Sequence, residues 1–235
     1  MIPWIPPDAP PDAFPPAEAA QFDPNGLLAA GGDLSPERLV EAYRRGIFPW
    51  YSGNQPILWW CPDPRTVLRP EAFHASRRLR RFIRSRRPRV RLDHDFRGVI
   101  RACAEDRPGQ SGTWITPAMR QAYERLFRLG VAHCAEALVD GKVIGGVYGV
   151  AVGRVFFGES MYTHEQNGSK LALYGLCAWL AAAGWRLLDC QVESPHLFTL
   201  GAETWSRERF LGALETWCAQ ATADVEWVTE FDLLG

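Results

Sequence analysis

The sequence has none of the close cysteine or histidine spacings that build metal or redox sites. Six cysteines (Cys61, Cys103, Cys134, Cys177, Cys190, Cys218) are scattered without a CxxC pair, and five histidines include no HxxxH or HExxH. Reduced, mostly buried thiols are expected, with no metal and no cofactor. The opening MIPWIPPDAPPDAF lacks the basic start and continuous apolar stretch of a secretory signal. The longest apolar helical pattern, around Leu171 to Ala183, is interrupted by Tyr174 and Gly175 and is too short to span a bilayer. A soluble, cytoplasmic chain with no membrane partner is expected. A surplus of either charge is missing too: 26 basic side chains face 27 acidic ones, so attraction to a nucleic acid has to come from where the charges sit. No internal repeat is visible. What is abundant is apolar and aromatic, 47% and 12% of 235 residues, enough for one sizeable core or a large core with a small companion.

Seven prolines before position 17, then Asn25-Gly26 and Gly31-Gly32, make residues 1–33 extended and turn-rich, a wrapping arm rather than a core. A punctuated helix follows, with Ser35 at the N-cap, Pro36 at the first helical position, Leu34 and Leu39 as a hydrophobic staple, and Gly46 at the end. Leu39, Tyr43 and Ile47 then share one face. Ile47 to Tyr51 and Leu58 to Trp60 flank a Ser52-Gly53-Asn54 turn, which predicts an aromatic hairpin. Its three tryptophans suit both a small N-terminal core and a stacking wall.

From His74 to Arg91 there are nine arginines and no acid. Leu79, Phe82 and Ile83 can dock a helix there, which leaves Arg77, Arg80, Arg81 and Arg84 on its surface. In a chain of net charge -1 this concentration points to a phosphate backbone rather than to a merely solvated face. Helices are predicted near Asp95 to Ala104 and from Thr116-Pro117 to about Leu129. Ala132 to Val139, Lys142 to Val152 and Arg154 to Tyr162 then read as three antiparallel strands around an Asp140-Gly141 turn. A helix from Ser169 to Ala183 closing at Gly184, a strand from Trp185 to Val192, a helix from Ser206 to Cys218 and a strand from Asp224 to Val228 complete an α+β fold: a mixed sheet flanked by helices, in the order of an acetyltransferase-like core. The domain boundary is placed near residue 64, giving a small Pro- and aromatic-rich domain (1–64) and a catalytic domain (65–235).

Alternation along a strand puts Asp189 and Gln191 on one side and Cys190 on the other. Two polar groups on one face of an apolar strand serve either as a satisfied buried pair or as chemistry. Cys190 as nucleophile lacks a partnered histidine nearby. In Val155 to Met161, the same alternation gives Phe157, Glu159 and Met161 a common face, able to hold an ammonium beside an apolar side chain. Strand-edge packing with a surface Glu is the alternative.

Asn25 to Leu34, Arg45-Gly46-Ile47-Phe48-Pro49-Trp50, Ile57 to Trp60, Pro62-Asp63-Pro64-Arg65, Gly112 to Thr116, Gly158-Glu159-Ser160-Met161 and Asp189-Cys190-Gln191 together resemble the bacterial leucyl/phenylalanyl-tRNA-protein transferases. The match is collinear from about residue 21 to 212. The resemblance implies a small N-terminal domain joined to an acetyltransferase-like (GNAT) domain. It also implies aminoacyl-tRNA as donor (Leu, Phe and also Met) and, as acceptor, a protein beginning with Arg or Lys, which is thereby marked for N-terminal-residue-dependent degradation by an enzyme expected to be monomeric. The family's proposed role for Asp189 and Gln191 is to accept a proton; a neutral amide is a poor base, so Gln191 is read as the acceptor that orients the attacking amine, with Asp189 fixing Gln191. On this reading Glu159 holds an amino group, and Trp50, Trp114, Phe157, Ser160, Met161 and Tyr43 form the apolar pocket and the stacking surface for the terminal adenosine. Arg77, Arg80, Arg81 and Arg84 bind tRNA. Two rivals remain: a CoA-dependent N-acyltransferase, although Gln166-Asn167-Gly168-Ser169-Lys170 lacks the usual pyrophosphate-loop spacing, and a non-catalytic RNA- or degron-binding adaptor. Neither the opening prolines nor the tail from Asp224 to Gly235 matches a family pattern.

Overall fold

The computed structural model describes residues 2–105, 113–221 and 225–233. Gly112, which opens one of the family-like motifs, and Asp224, where the last strand was expected to begin, lie outside them. The strands are β1 (Trp4–Ile5), β2 (Leu27–Gly31), β3 (Phe48–Pro49), β4 (Leu58–Trp60), β5 (Arg65–Leu68), β6 (Arg89–Leu92), β7 (Ala132–Val139), β8 (Lys142–Val152), β9 (Val155–Thr163), β10 (Leu187–Gln191), β11 (Glu203–Trp205) and β12 (Thr229–Asp232). The α-helices are α1 (Pro36–Arg44), α2 (Arg77–Arg86), α3 (Phe96–Cys103), α4 (Pro117–Arg128), α5 (Gly168–Ala182), α6 (Pro195–Thr199) and α7 (Arg207–Trp217). No helix among the described residues is long and apolar enough to cross a membrane.

Two mixed sheets result. The small one runs β1-β2-β4-β3, and the large one runs β11-β5-β10-β9-β8-β7-β6-β12. All pairs in the large sheet are antiparallel except β9 with β10, which the crossover through α5 makes parallel. The opening arm contributes β1 to the small sheet and is pinned by the buried Arg38, which donates to the carbonyls of Ala9 and Pro10. The hairpin tryptophans divide the two uses expected of them. Trp59 is fully buried against Phe14, whereas Trp50 remains 44% exposed. The small sheet does not close a core of its own: Tyr43, Phe48 and Trp59 belong to the same apolar cluster as Ile100, Met119 and Tyr148 of the large-sheet side. A second cluster on the opposite face packs α5 and α2 onto the sheet.

Helix ends follow their local chemistry. Thr116 and Ser206 accept from the amides of Met119 and Arg209, and Asp95 accepts from Gly98. At α1, Ser35 occupies the N-cap position without making that bond, and its amide donates to Asp33. Gly46 at φ 70° lets the Ile47 amide return to Ala42, the left-handed close of α1.

Two expectations need correction. The arginine run is not one charged surface: Pro88 ends the helix and the next residues enter the sheet as β6, where Arg89 pairs with Glu230 and Asp232, and Arg91 with Glu136. Arg86 likewise meets Asp140. The last strand begins at Thr229 rather than ending at Val228, since Trp227 is used by its ring: it stacks on His133 at 3.7 Å and packs on Trp179. In β12, Glu230 and Asp232 meet Arg89 while Phe231 packs on the second core.

Candidate active site

The site forms where β9 and β10 part. Their parallel pairing covers only Val155–Phe157 with Leu187–Asp189, and an irregularity interrupts each strand just beyond. On β9 the register jumps from Ser160 opposite Tyr148 to Gly158 opposite Gly149, so Glu159 is the extra residue of a bulge. Glycine is required opposite it: a Cβ on Gly149 would lie 2.2 Å from the Phe157 carbonyl oxygen.

The bulge overturns the predicted common face of Phe157, Glu159 and Met161. Phe157 and Glu159 point to the first core, where Phe157 is fully buried against Tyr43 at 5.1 Å, but Met161 has changed phase and packs with the second core. Phe157 thus lines neither cavity of the site. Tyr43 is corrected too: it is completely buried and offers no stacking face.

On β10 Asp189 and Gln191 keep the side that alternation gives them, although the strand is irregular between the two. Asp189 is fully buried and is met by the Arg65 guanidinium in a two-pronged bond, Nε to Oδ1 at 2.8 Å and Nη2 to Oδ2 at 2.6 Å. Arg65 also donates to the Gly46 carbonyl and lies between the rings of Phe48 and Phe210. The second role of Asp189 is to accept from the backbone amide of Gln191 at 2.9 Å, which holds that residue at φ 65°. Asp189 therefore fixes the backbone of Gln191, not its side-chain amide. That amide donates from Nε2 to Glu159 Oε1 at 2.8 Å, which turns its carbonyl end away from Glu159.

Glu159, 9% exposed, is the centre of this polar cluster. Tyr43 donates to Oε1 at 2.7 Å and Tyr123 to Oε2 at 2.9 Å, and the two hydroxyls also touch each other. Burial pushes the carboxyl up to about 7; the bonds from Tyr43 and Tyr123 pull the other way and lose, and the nearby Asp189 charge adds to the rise. Burial, followed by the Asp189 charge, also raises the Cys190 thiol well above its usual value, so Cys190 is no ready nucleophile.

Two cavities open above this cluster and share Gly158, Glu159, Cys190 and Leu197. The first, about 100 Å³, is mostly apolar, with Val147, Met161, Leu173 and Leu188 on its walls and Ser160 at its rim. The second, about 200 Å³, has Trp50 and Trp114 facing Gln191 and Ser194. Trp60 supports Trp50 from behind at 5.8 Å and donates to its carbonyl. Arg77, Arg80, Arg81 and Arg84 lie away from these cavities, on the exposed surface of α2.

Arg65 and Tyr123 were not identified as site residues from the sequence. Arg65 carried a signal, being a charged residue at the head of the short apolar run Thr66-Val67-Leu68. Tyr123 carried none, because it falls on the apolar stripe of α4 like any core residue.

The family model for the leucyl/phenylalanyl-tRNA protein transferase matches residues 67–215, and that for its N-terminal domain matches residues 32–63. Three relatives bear the name leucyl/phenylalanyl-tRNA-protein transferase. That of Aromatoleum aromaticum is 53% identical, covering 98% of this chain and 96% of its own. That of Azoarcus sp. is 49% identical over 99% of both chains, and that of Alkalilimnicola ehrlichii is 55% identical over 90% of this chain and 83% of its own.

Proposed function

The chain belongs to the leucyl/phenylalanyl-tRNA-protein transferase family, and on that premise we propose that it moves leucine, phenylalanine or methionine from aminoacyl-tRNA to the N-terminal amine of proteins beginning with Arg or Lys, marking them for degradation. The observation that carries this reading is the pair of cavities meeting at Glu159: an apolar one sized for a side chain, and a neighbour walled by two tryptophans against which an adenine can stack. An acetyltransferase-like core is supported by the three-stranded antiparallel run β7-β8-β9, the crossover α5 and the parted parallel strands β9 and β10. A division near residue 64 is supported by β5 starting at Arg65.

The donor is an ester, so the acceptor nitrogen attacks its carbonyl carbon, the C–N bond forms, and the bond to the ribose oxygen breaks. The nitrogen's proton ends on the departing ribose hydroxyl. An activated donor leaves the protein chiefly the task of orientation, worth as much as roughly 10⁵ to 10⁸ M in effective concentration. Gln191 suits this task. Its backbone is held by Asp189, its Nε2 is engaged by Glu159, and its carbonyl oxygen is the end left to accept from an amine. Arg65 is a positioning residue that acts through Asp189.

Transfer of label from leucyl-tRNA to an Arg-initiated peptide tests the assignment; no transfer, or equal transfer from acetyl-CoA, overturns it. Gln191→Ala is expected to slow single-turnover transfer roughly 10- to 100-fold, the worth of one or two hydrogen bonds, with tRNA affinity nearly unchanged. Cys190→Ala should stay within a few-fold of the parent, and a dead Cys190→Ala enzyme beside an active Gln191→Ala would reverse the roles. The apolar cavity gives a further expectation. Met161 is pliant and can slide for Leu, Phe or Met, while Ile and Val carry bulk at Cβ beside the rigid bulge. Isoleucyl-tRNA should therefore be used roughly 10- to 200-fold less well than leucyl-tRNA, as read in a competition series on one peptide; equal use would remove the pocket from this role.

A further inference from the structure

A third cavity, about 420 Å³, lies beside the site near α6. It is lined chiefly by Ser76 and Arg78 at the start of α2, Thr163 at the end of β9, Gln166 after it, Lys170 of α5 and His196 of α6. No carboxylate lines it. Among the described residues, Arg78 and Lys170 form no ion pair, whereas Arg86, Arg89 and Arg91 on the same segment each have an acidic partner. Burial and the Lys170 charge lower the pKa of His196, so its imidazole brings hydrogen bonding rather than further charge. Two cations over a polar hollow with no counter-charge form an anion site.

The backbone says which anion. The first two amides of α5 are already used: Gly168 donates to the Glu165 carbonyl and Ser169 to Thr163 Oγ1, both at 3.0 Å. A pyrophosphate of the CoA type needs such amides free, so recognition falls to the side chains, Arg78 as a fork and Lys170 as a point charge, a pair suited to one phosphodiester. Position says whose phosphate it is. His196 adjoins Leu197, which lines both site cavities, and Thr163 lies two residues beyond Met161, about 7 Å along the strand.

We propose that this cavity holds a backbone phosphate of the donor's single-stranded 3′ end, gripped by Arg78 and Lys170, so that the strand passes from Trp50 and Trp114 over α6 toward the arginine face of α2. The inference rests on aminoacyl-tRNA being the donor.

The test is the double variant Arg78→Ala/Lys170→Ala, with thermal unfolding as a check that the fold is intact. Its Kd for leucyl-tRNA should rise roughly tenfold, and the slope of log Kd against log salt should flatten by about 0.7, the contribution of one neutralised phosphate on a single strand. The loss should be confined to phosphate-bearing donors, with transfer from 3′-O-leucyl-adenosine falling less than about threefold. Unchanged affinity and slope, or equal losses with both donors, would overturn the proposal. Displacement of an uncharged CCA-ended hairpin by CoA through this cavity would also overturn it, in favour of a pyrophosphate. If the parent enzyme fails to transfer from leucyl-tRNA the functional reading falls by itself, while the hairpin's affinity and salt slope still decide whether Arg78 and Lys170 hold a phosphate.

Discussion

Arg65→Met is expected to destabilise the folded chain by about 3–5 kcal/mol, the usual consequence of leaving one partner of a buried ion pair alone. Asp189 is wholly buried and both its oxygens are engaged by Arg65. Without the guanidinium its charge keeps one bond, from the Gln191 amide. The Gly46 carbonyl loses its side-chain donor as well, and Phe48 and Phe210 lose the group between them. Removing both charges is a different experiment. Arg65→Met/Asp189→Leu keeps apolar bulk and leaves no orphan ion, so most of the stability should return, as a coupling energy of a few kcal/mol in the double-mutant cycle. Transfer should not return with it, because the Gln191 backbone has lost its anchor. Chemical denaturation of the four proteins reads the first effect and single-turnover transfer the second. A single variant within about 1 kcal/mol of the parent, or an active double variant, would show that Arg65 and Asp189 do not hold the site.

The parts of this arrangement that could be read from the chain are those set by a single period. Asp189 and Gln191 turn toward the first core and Cys190 toward the second, the sides that a period of two gives, even though the strand is irregular at Cys190. The same rule misled at Met161 because the bulge at Glu159 inserts one residue and reverses every face after it. Gly149, on the neighbouring strand, is what admits the bulge, and nothing near Glu159 in sequence reports it. Arg65 and Tyr123 stand 124 and 36 residues from the carboxylates they meet, so only the assembled sheet brings them together. The arginine run shows a different limit. Its apolar spacing gives α2 correctly, but charge counting missed that β6 takes Arg89 and Arg91 into a sheet whose neighbours supply acids.

Glu159→Gln is expected to abolish a pH dependence of stability worth roughly 3 kcal/mol, the linkage equivalent of a carboxyl moved from 4.5 to about 7. The sign follows from where the proton sits. Below about pH 4.5 the carboxyl is protonated whether the chain is folded or not, and burial carries no charge penalty. Between 4.5 and 7 the folded chain keeps the proton that the unfolded chain releases, so stability falls as pH rises, and above about 7 the penalty is complete. The geometry supports a proton held there. Both tyrosines donate to the ionised carboxylate; when it is protonated, one of them can turn to accept the acid proton and donate to the other, so the three groups can hold the proton between them. Burial and the Glu159 charge keep both phenols far from ionising. A glutamine copies the protonated acid, with its amide in place of the acid proton, and does not titrate. The variant should therefore gain on the parent by roughly 3 kcal/mol between pH 5 and pH 8, other titrating groups cancelling in the difference. Its transfer rate should also lack the inflection near pH 7 expected of the parent, whose Gln191 amide bonds to a group that changes charge there. Stability curves that run parallel from pH 5 to pH 8 would mean that Glu159 is ionised throughout.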